Sequence, residues 1–220
     1  MYGNVAIDGP AGAGKSTAAR MVAERLGYIY IDTGAMYRAL TWKVLNSGSR
    51  WDDEEIIRLA AVTKIEFSLD EQGGLQTICD GSDVSREIRE RNVSANVSRI
   101  ARIAGVRRRM VELQRRMAAQ KPVVMDGRDI GSFVLPDAPH KFFLIASLEE
   151  RTRRRCRQME EQGIDFDRSQ VSADIKARDE MDRSRTVAPL VQAADAKLID
   201  TDCLTLHQVV ALIIKEIRGE

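Results

Sequence analysis

Between a short apolar run, Val5 to Ile7, and a helical pattern from Ser16 to Leu26 lies a loop of small residues, Gly9-Pro10-Ala11-Gly12-Ala13-Gly14-Lys15-Ser16-Thr17. A stretch so poor in packing side chains contributes little to a core, so its backbone is the working part. Its spacing fits G-x-x-x-x-G-K-[ST], the phosphate-loop pattern. Glycine permits positive φ and close approach to a ligand, so successive N–H groups converge on phosphate oxygens at the positive end of the following helix. Lys15 adds a cation near the β and γ phosphates, and the Ser16 hydroxyl is placed to ligate the Mg²⁺ that accompanies a nucleoside triphosphate. Strand, loop and helix in this order point to an α/β domain with a nucleoside triphosphate as the expected ligand of Gly9 to Thr17.

The apolar runs recur at Tyr28 to Ile31, Pro122 to Met125, Lys141 to Ala146 and Lys197 to Ile199. Helical patterns lie near the later runs at Val106 to Ala119, Leu148 to Gln162 and Leu206 to Ile217. This alternation predicts a parallel sheet flanked by helices. Two stretches break it. Residues 64–84 alternate apolar and polar around Gly73-Gly74, which predicts an antiparallel hairpin inserted into the domain. Residues 151–185 form two highly charged helical patterns around Gly163 to Asp167. They read either as a solvated hairpin held by i,i+4 pairs or as an arginine-bearing lid that closes over phosphates.

Length and charge narrow the function. A chain of 220 residues suits one domain with a small insertion. No stretch is apolar enough to span a membrane and the N-terminus lacks a signal pattern, so a cytoplasmic protein without a membrane partner is expected. Cys79, Cys156 and Cys203 are dispersed and read as reduced thiols. A net charge of +1 gives no support to a nucleic-acid partner. Of the basic residues 26 are arginine and 8 lysine, and the arginine fork suits phosphate and carboxylate recognition.

The remaining candidates stand where strands end, since ligands of open α/β sheets bind beyond the carboxyl ends of strands. After the second run come Asp32, Thr33, Tyr37 and Arg38, with Arg38 suited to a second phosphate. The third ends in VVMDGRDIG, bringing Asp126, Arg128 and Asp129 to the rim; Asp126 resembles the aspartate that holds Mg²⁺ opposite a phosphate loop. A guanine-specificity motif N-K-x-D is absent, which argues against a nucleotide switch protein.

Taken together, IDGPAGAGKST, DTGAMYR, VVMDGRDIG and IKARDEMDRSRTVAPL resemble the cytidylate kinases of bacterial type, over Ala6 to Ile199. The resemblance implies a phosphate-loop NTPase-like parallel sheet with flanking helices, a small antiparallel β insertion and a helical lid. It implies a single kinase domain over 1–220, with a monophosphate-binding region at about 33–105 and the lid at about 151–185. The implied reaction is phosphoryl transfer from ATP to CMP or dCMP, with Mg²⁺; separately, a monomer is expected. Lys15, Arg128 and Arg185 are then catalytic. Arg38, Arg128 and Arg185 hold the acceptor phosphate or the transferring group; Arg178 and Asp182 contact the acceptor ribose with Thr33 beside them, and Thr33 and Tyr37 join the substrate-binding set. Ser98, Arg107 and Asp129 read the cytosine edge, with Arg108 and Arg109 as alternatives to Arg107. Ser16 and Asp126 are the metal ligands. Relatives often carry glycine where Ser16 stands, so direct ligation by its hydroxyl is open to this chain.

Overall fold

The computed structural model describes residues 2–48 and 50–220, which fall into two compact units, one of residues up to 30 together with 118–220 and the other of residues 31–117. The first unit is built on the strands β1 (Val5–Asp8), β6 (Val123–Asp126), β7 (His140–Ile145) and β8 (Lys197–Asp200). They join β2 (Ile29–Asp32), in which the division between units falls, in a five-stranded sheet of order β2-β6-β1-β7-β8. The β1–β6, β1–β7 and β7–β8 pairs are parallel. Val5, Ala6, Ile7, Val123, Val124 and Met125 are fully buried, as expected of a parallel strand covered on both faces.

Pairing carries several strands one residue beyond their apolar runs. Ile7 lies opposite Asp126, Asp8 opposite Phe143 and Ile145 opposite Asp200. The rim that follows bears the phosphate loop, the Gly127-Arg128-Asp129 turn and Thr201. Helix α1 (Lys15–Leu26) packs on β1, β6 and α8 (Leu206–Arg218); Ala18, Ala19 and Val22 of α1 and Val210 and Ile213 of α8 are buried. Helix α8 starts in a capping box made by Thr205 and Gln208 and ends at Gly219 in the left-handed region. Helices α6 (Leu148–Glu161) and α7 (Arg168–Arg183) form a hairpin with its own small core of Cys156, Val171 and Ile175.

The second unit holds α2 (Thr33–Asn46), α3 (Asp53–Val62), a three-stranded antiparallel sheet, α4 (Arg91–Arg102) and most of α5 (Ala104–Gln120). The sheet comprises β3 (Ile65–Leu69), β4 (Leu75–Cys79) and β5 (Ser82–Asp83). Leu69 faces Leu75 across the expected hairpin, whose loop is closed by Asp70 accepting from the Gln72 and Gly74 N–H groups. Helices α3 and α4 are additions to the predicted pattern. Helix α4 buries Val93, Val97, Ile100 and Ala101 on one face, the i, i+4, i+7, i+8 spacing of an amphipathic helix.

Candidate active site

The phosphate loop is held open by backbone geometry. At Gly9, φ is 142° and a Cβ would come within 2.0 Å of the Leu144 carbonyl oxygen, so no other residue fits there. Gly14, at φ 86°, is the N-cap of α1. Helices α2, α3, α6, α7 and α8 each begin with a side-chain cap, from Asp32, Asp52, Ser147, Asp167 and Thr205. Helix α1, like α4, has none and carries no acidic residue in its first turn, but α1 alone follows the phosphate loop. Its leading N–H groups therefore suit an external anion.

Lys15 opens this helix with 5% exposure, its Nζ donating to the Pro10 carbonyl at 2.7 Å. Burial, reinforced by the Arg128 charge, pushes the ammonium down to about 7, against the pull of Asp126, Asp8 and Asp182. A cation so placed gains from the arrival of phosphate oxygens. Ser16 Oγ donates to Asp126 Oδ2 at 2.8 Å, and the Tyr30 hydroxyl donates to Asp126 Oδ1 at 2.8 Å. A hydroxyl and a buried carboxylate in contact, beside a phosphate loop, are the hard oxygen donors that Mg²⁺ takes. Among the described residues no three His, Cys, Asp or Glu side chains gather as a metal cluster. Two protein ligands complemented by phosphate oxygens and water suit an ion that keeps much of its hydration.

Around this core stands an arginine cluster. Arg128 Nε donates to Asp182 Oδ2 at 2.7 Å, and Arg185 donates to Asp182 Oδ1. Asp182 is 1% exposed. Against the opposing effect of burial, the Arg128, Arg185 and Arg178 charges hold its carboxyl below the usual range. Burial likewise opposes the charge on Arg128, but Asp182 outweighs it and raises the guanidinium further. One carboxylate thus fixes two forks whose mutual repulsion would otherwise separate them.

Residues 151–185 are only partly the solvated hairpin that i,i+4 pairing describes. Arg153 and Arg154 bind Glu150, and Arg157 binds Glu161. Arg151, however, is 6% exposed. Its guanidinium donates to Asp179 Oδ2 at 2.6 Å, to the Ala11 carbonyl of the phosphate loop at 3.2 Å and to the Ala146 carbonyl at 3.1 Å. Arg154 adds bonds to the Thr201 carbonyl and hydroxyl. Neither arginine was singled out by motif, because a run of five arginines in seven positions hides which one faces inward. Asp8 was also missed, although it immediately precedes the phosphate-loop motif. Both its oxygens accept backbone N–H groups, from Ile130 at 2.8 Å and Gly131 at 2.7 Å. Burial pushes Asp8 up to about 7 against those two bonds.

In the second unit, Asp32 caps α2 through the Ala35 N–H and pairs with Arg38 at 2.9 Å. Among the described residues Arg38 Nε is buried with no hydrogen-bond partner, an arrangement that suits a further anion. Thr33 and Tyr37 are buried on the same helix, and Ser98 is buried on α4. Of the three neighbouring arginines, Arg107 is 1% exposed with its guanidinium 5.8 Å from the Tyr37 ring centre; Arg108 is exposed and Arg109 pairs with Glu112.

The family profile described as Cytidylate kinase matches residues 5–219. The chain is 49% identical over 219 residues to the cytidylate kinase of Pelotomaculum thermopropionicum, covering 99% of this chain and 97% of that protein. It is 53% identical over 211 residues to the cytidylate kinase of Desulforamulus reducens, covering 96% and 94%. Its backbone is similar to the crystal structure of an uncharacterized protein from Eubacterium ventriosum, with a TM-score of 0.55 at 15% identity over 99% of each chain. With this profile over nearly its whole length and relatives at about half identity, the chain belongs to the cytidylate kinase family.

Proposed function

We propose that this chain transfers the γ-phosphoryl group of ATP to CMP and dCMP, giving ADP and CDP or dCDP. The observation that carries the reading is the uncapped phosphate-loop helix beside the Arg128–Asp182–Arg185 cluster, in a chain of this family. Both reactants are polyanions, so catalysis consists of neutralising repulsion and aligning an acceptor oxygen with the γ-phosphorus. The acceptor oxygen is already anionic and needs no general base. The loop amides from Gly9 to Thr17 and Lys15 bind the ATP phosphates. Ser16 and Asp126 hold Mg²⁺, which when bound supplies charge neutralisation at those phosphates.

Arg128 and Arg185, prepositioned by Asp182, meet the charge that spreads over the transferring group. Arg38 holds the acceptor phosphate, while Thr33 and Arg178, with Asp182, contact the ribose. The full burial of Arg107 favours it over Arg108 and Arg109 as the donor to cytosine N3 or O2. Asp129 and Ser98 accept from the N4 amino group, and Tyr37 supports Arg107 from its ring face. The hairpin at 151–185 acts as the lid that keeps water from ATP. We read the enzyme as a cytoplasmic monomer that takes small-molecule substrates and no nucleic acid; no helix among the described residues is long and apolar enough to cross a membrane.

The test is ADP release in a coupled assay against CMP, dCMP, UMP and AMP. Uracil presents an acceptor where cytosine presents a donor, and each buried polar group left unpaired costs about 1 to 3 kcal/mol. CMP is therefore preferred over UMP by roughly ten- to a thousandfold in kcat/KM. Equal use of CMP and UMP would overturn the base-reading assignment, and release of ADP with none of them would overturn the kinase reading.

A further inference from the structure

Asp8 is the last residue of β1 and immediately precedes Gly9, where the phosphate loop begins. Its carboxylate is 4% exposed and spends both oxygens on another loop, accepting the N–H groups of Ile130 and Gly131. These two residues open a single π-helical turn, Ile130–Val134, in which the Asp129 carbonyl accepts from both Phe133 and Val134 and the Ile130 carbonyl accepts from Leu135. Wide turns of this kind are rare and concentrate at functional sites. Arg128 and Asp129 lie directly before it.

The far end of the segment is also held. Lys141 Nζ donates to the Pro136 carbonyl and to Asp195 Oδ2 at 2.6 Å. Its stem lies under Gly131, where a Cβ would stand 3.1 Å from Lys141 Cδ. Burying a carboxylate is costly unless its bonds require it. Here each carboxylate oxygen takes one of two neighbouring backbone N–H groups, so the bonds that offset its burial also fix the backbone at residues 130 and 131.

We propose that Asp8 is a positioning residue that ties the phosphate loop to the 127–136 segment, setting where Arg128 and Asp129 stand relative to Lys15. The role rests on the assignment of Arg128 and Asp129 to the acceptor nucleotide made above. Asp8 cannot move without the end of β1, and the Gly127 N–H bond to the Ile7 carbonyl at 3.1 Å extends the same tie along the backbone. One strand end therefore registers donor and acceptor machinery together.

The experiment uses Asp8→Asn, whose amide accepts one N–H and turns its own donor on the other. Amide exchange of Ile130 and Gly131 should accelerate at least tenfold. KM for CMP should rise at least tenfold and the CMP-to-UMP ratio of kcat/KM fall at least fivefold, while the Kd for ATP stays within twofold. Equal losses toward ATP and CMP would reduce Asp8 to a structural residue, and unchanged CMP kinetics with released amides would overturn the role outright. If Asp8→Asn does not fold, Lys141→Met loosens the other end of the segment. It should raise KM for CMP about threefold without affecting ATP, and an unchanged KM would count against the proposal. Asp129→Asn run in parallel separates the two readings. If it leaves CMP-to-UMP discrimination intact, the acceptor assignment falls and this role for Asp8 falls with it. If it abolishes discrimination while Asp8→Asn does not, only the positioning role fails.

Discussion

Breaking the Arg151–Asp179 pair provides the sharpest energetic test of how the helical hairpin is joined to the phosphate loop. Both residues are 6% exposed, their charged atoms are 2.6 Å apart, and Asp179 Oδ1 has no hydrogen-bond partner. Asp179 thus relies on Arg151 for its charge compensation in this contact. Such a pair contributes little net stability, because attraction of about 6 kcal/mol at this separation and an effective dielectric constant near 20 is offset by desolvation of both ions. Removing one partner is different, since the other charge stays buried. Arg151→Met and Asp179→Leu should each cost about 3 to 5 kcal/mol. The double variant removes both charges of the pair and forfeits mainly the bonds to the Ala11 and Ala146 carbonyls, at about 1 kcal/mol each. Its loss should fall short of the summed single losses by at least about 2 kcal/mol. Urea unfolding followed by circular dichroism measures all four proteins. Additivity within about 0.5 kcal/mol would show that the two side chains do not interact energetically, and the reasoning would fail.

Three further outcomes are expected. Arg185→Ala should lower kcat at least about tenfold, or about 1.4 kcal/mol, with ATP binding nearly intact; a change confined to thermal stability would return the arginine to a structural role. Arg107→Met should lower kcat/KM for CMP by about 1 to 3 kcal/mol and compress the CMP-to-UMP ratio, and undiminished discrimination in the substrate panel would exclude Arg107 as the base reader. Asp8 carries a pH signature. Its carboxyl is raised to about 7 in the folded chain from an ordinary 3.8, so the folded state holds a proton that the unfolded state has lost, and stability falls as pH rises through that interval. Between pH 5 and 8 wild type should lose about 2 to 3 kcal/mol relative to Asp8→Asn, by urea unfolding at each pH. The comparison cancels groups that do not feel Asp8, while Asp129 and Lys15, which face it, shift with it; parallel pH profiles for the two proteins would show that Asp8 titrates normally.

Local chemistry made the phosphate loop and the sheet legible. Gly9 and Gly14 need conformations that other residues resist, and VAI and VVM are apolar enough to be covered on both faces. Features that depend on tertiary pairing were not legible. Strands β1 and β6 extend to Asp8 and Asp126 because neighbouring strands supply partners for those residues, whatever the propensity of aspartate. Helix α4 has a clear periodicity, yet the polar residues Arg91, Asn92, Ser94 and Asn96 dilute it, and Ser98 was placed by resemblance alone. Nothing local separates buried Arg151 from exposed Arg153, two positions apart on one helix, because the difference lies in what α6 packs against.

The same pairing explains how so many like charges coexist around one loop. Lys15 donates to Pro10, Arg128 and Arg185 share Asp182, and Asp126 is engaged by Ser16 and Tyr30. Each group is thus satisfied by another part of the protein, so phosphate binding exchanges existing hydrogen bonds for new ones. The exchange is unequal. Lys15 trades a neutral carbonyl for an anionic oxygen and gains from charge-assisted bonding. Arg128 and Arg185 already hold a carboxylate, so they gain little from a ground-state phosphate unless Asp182 keeps one oxygen on each fork while the outer N–H groups turn to the ligand. Binding energy held back in that way is available where charge spreads, in the transition state. Under the proposed roles of Arg128 and Arg185, Asp182, which bonds both forks, would act on catalysis through their aim, and its burial shields that aim from water.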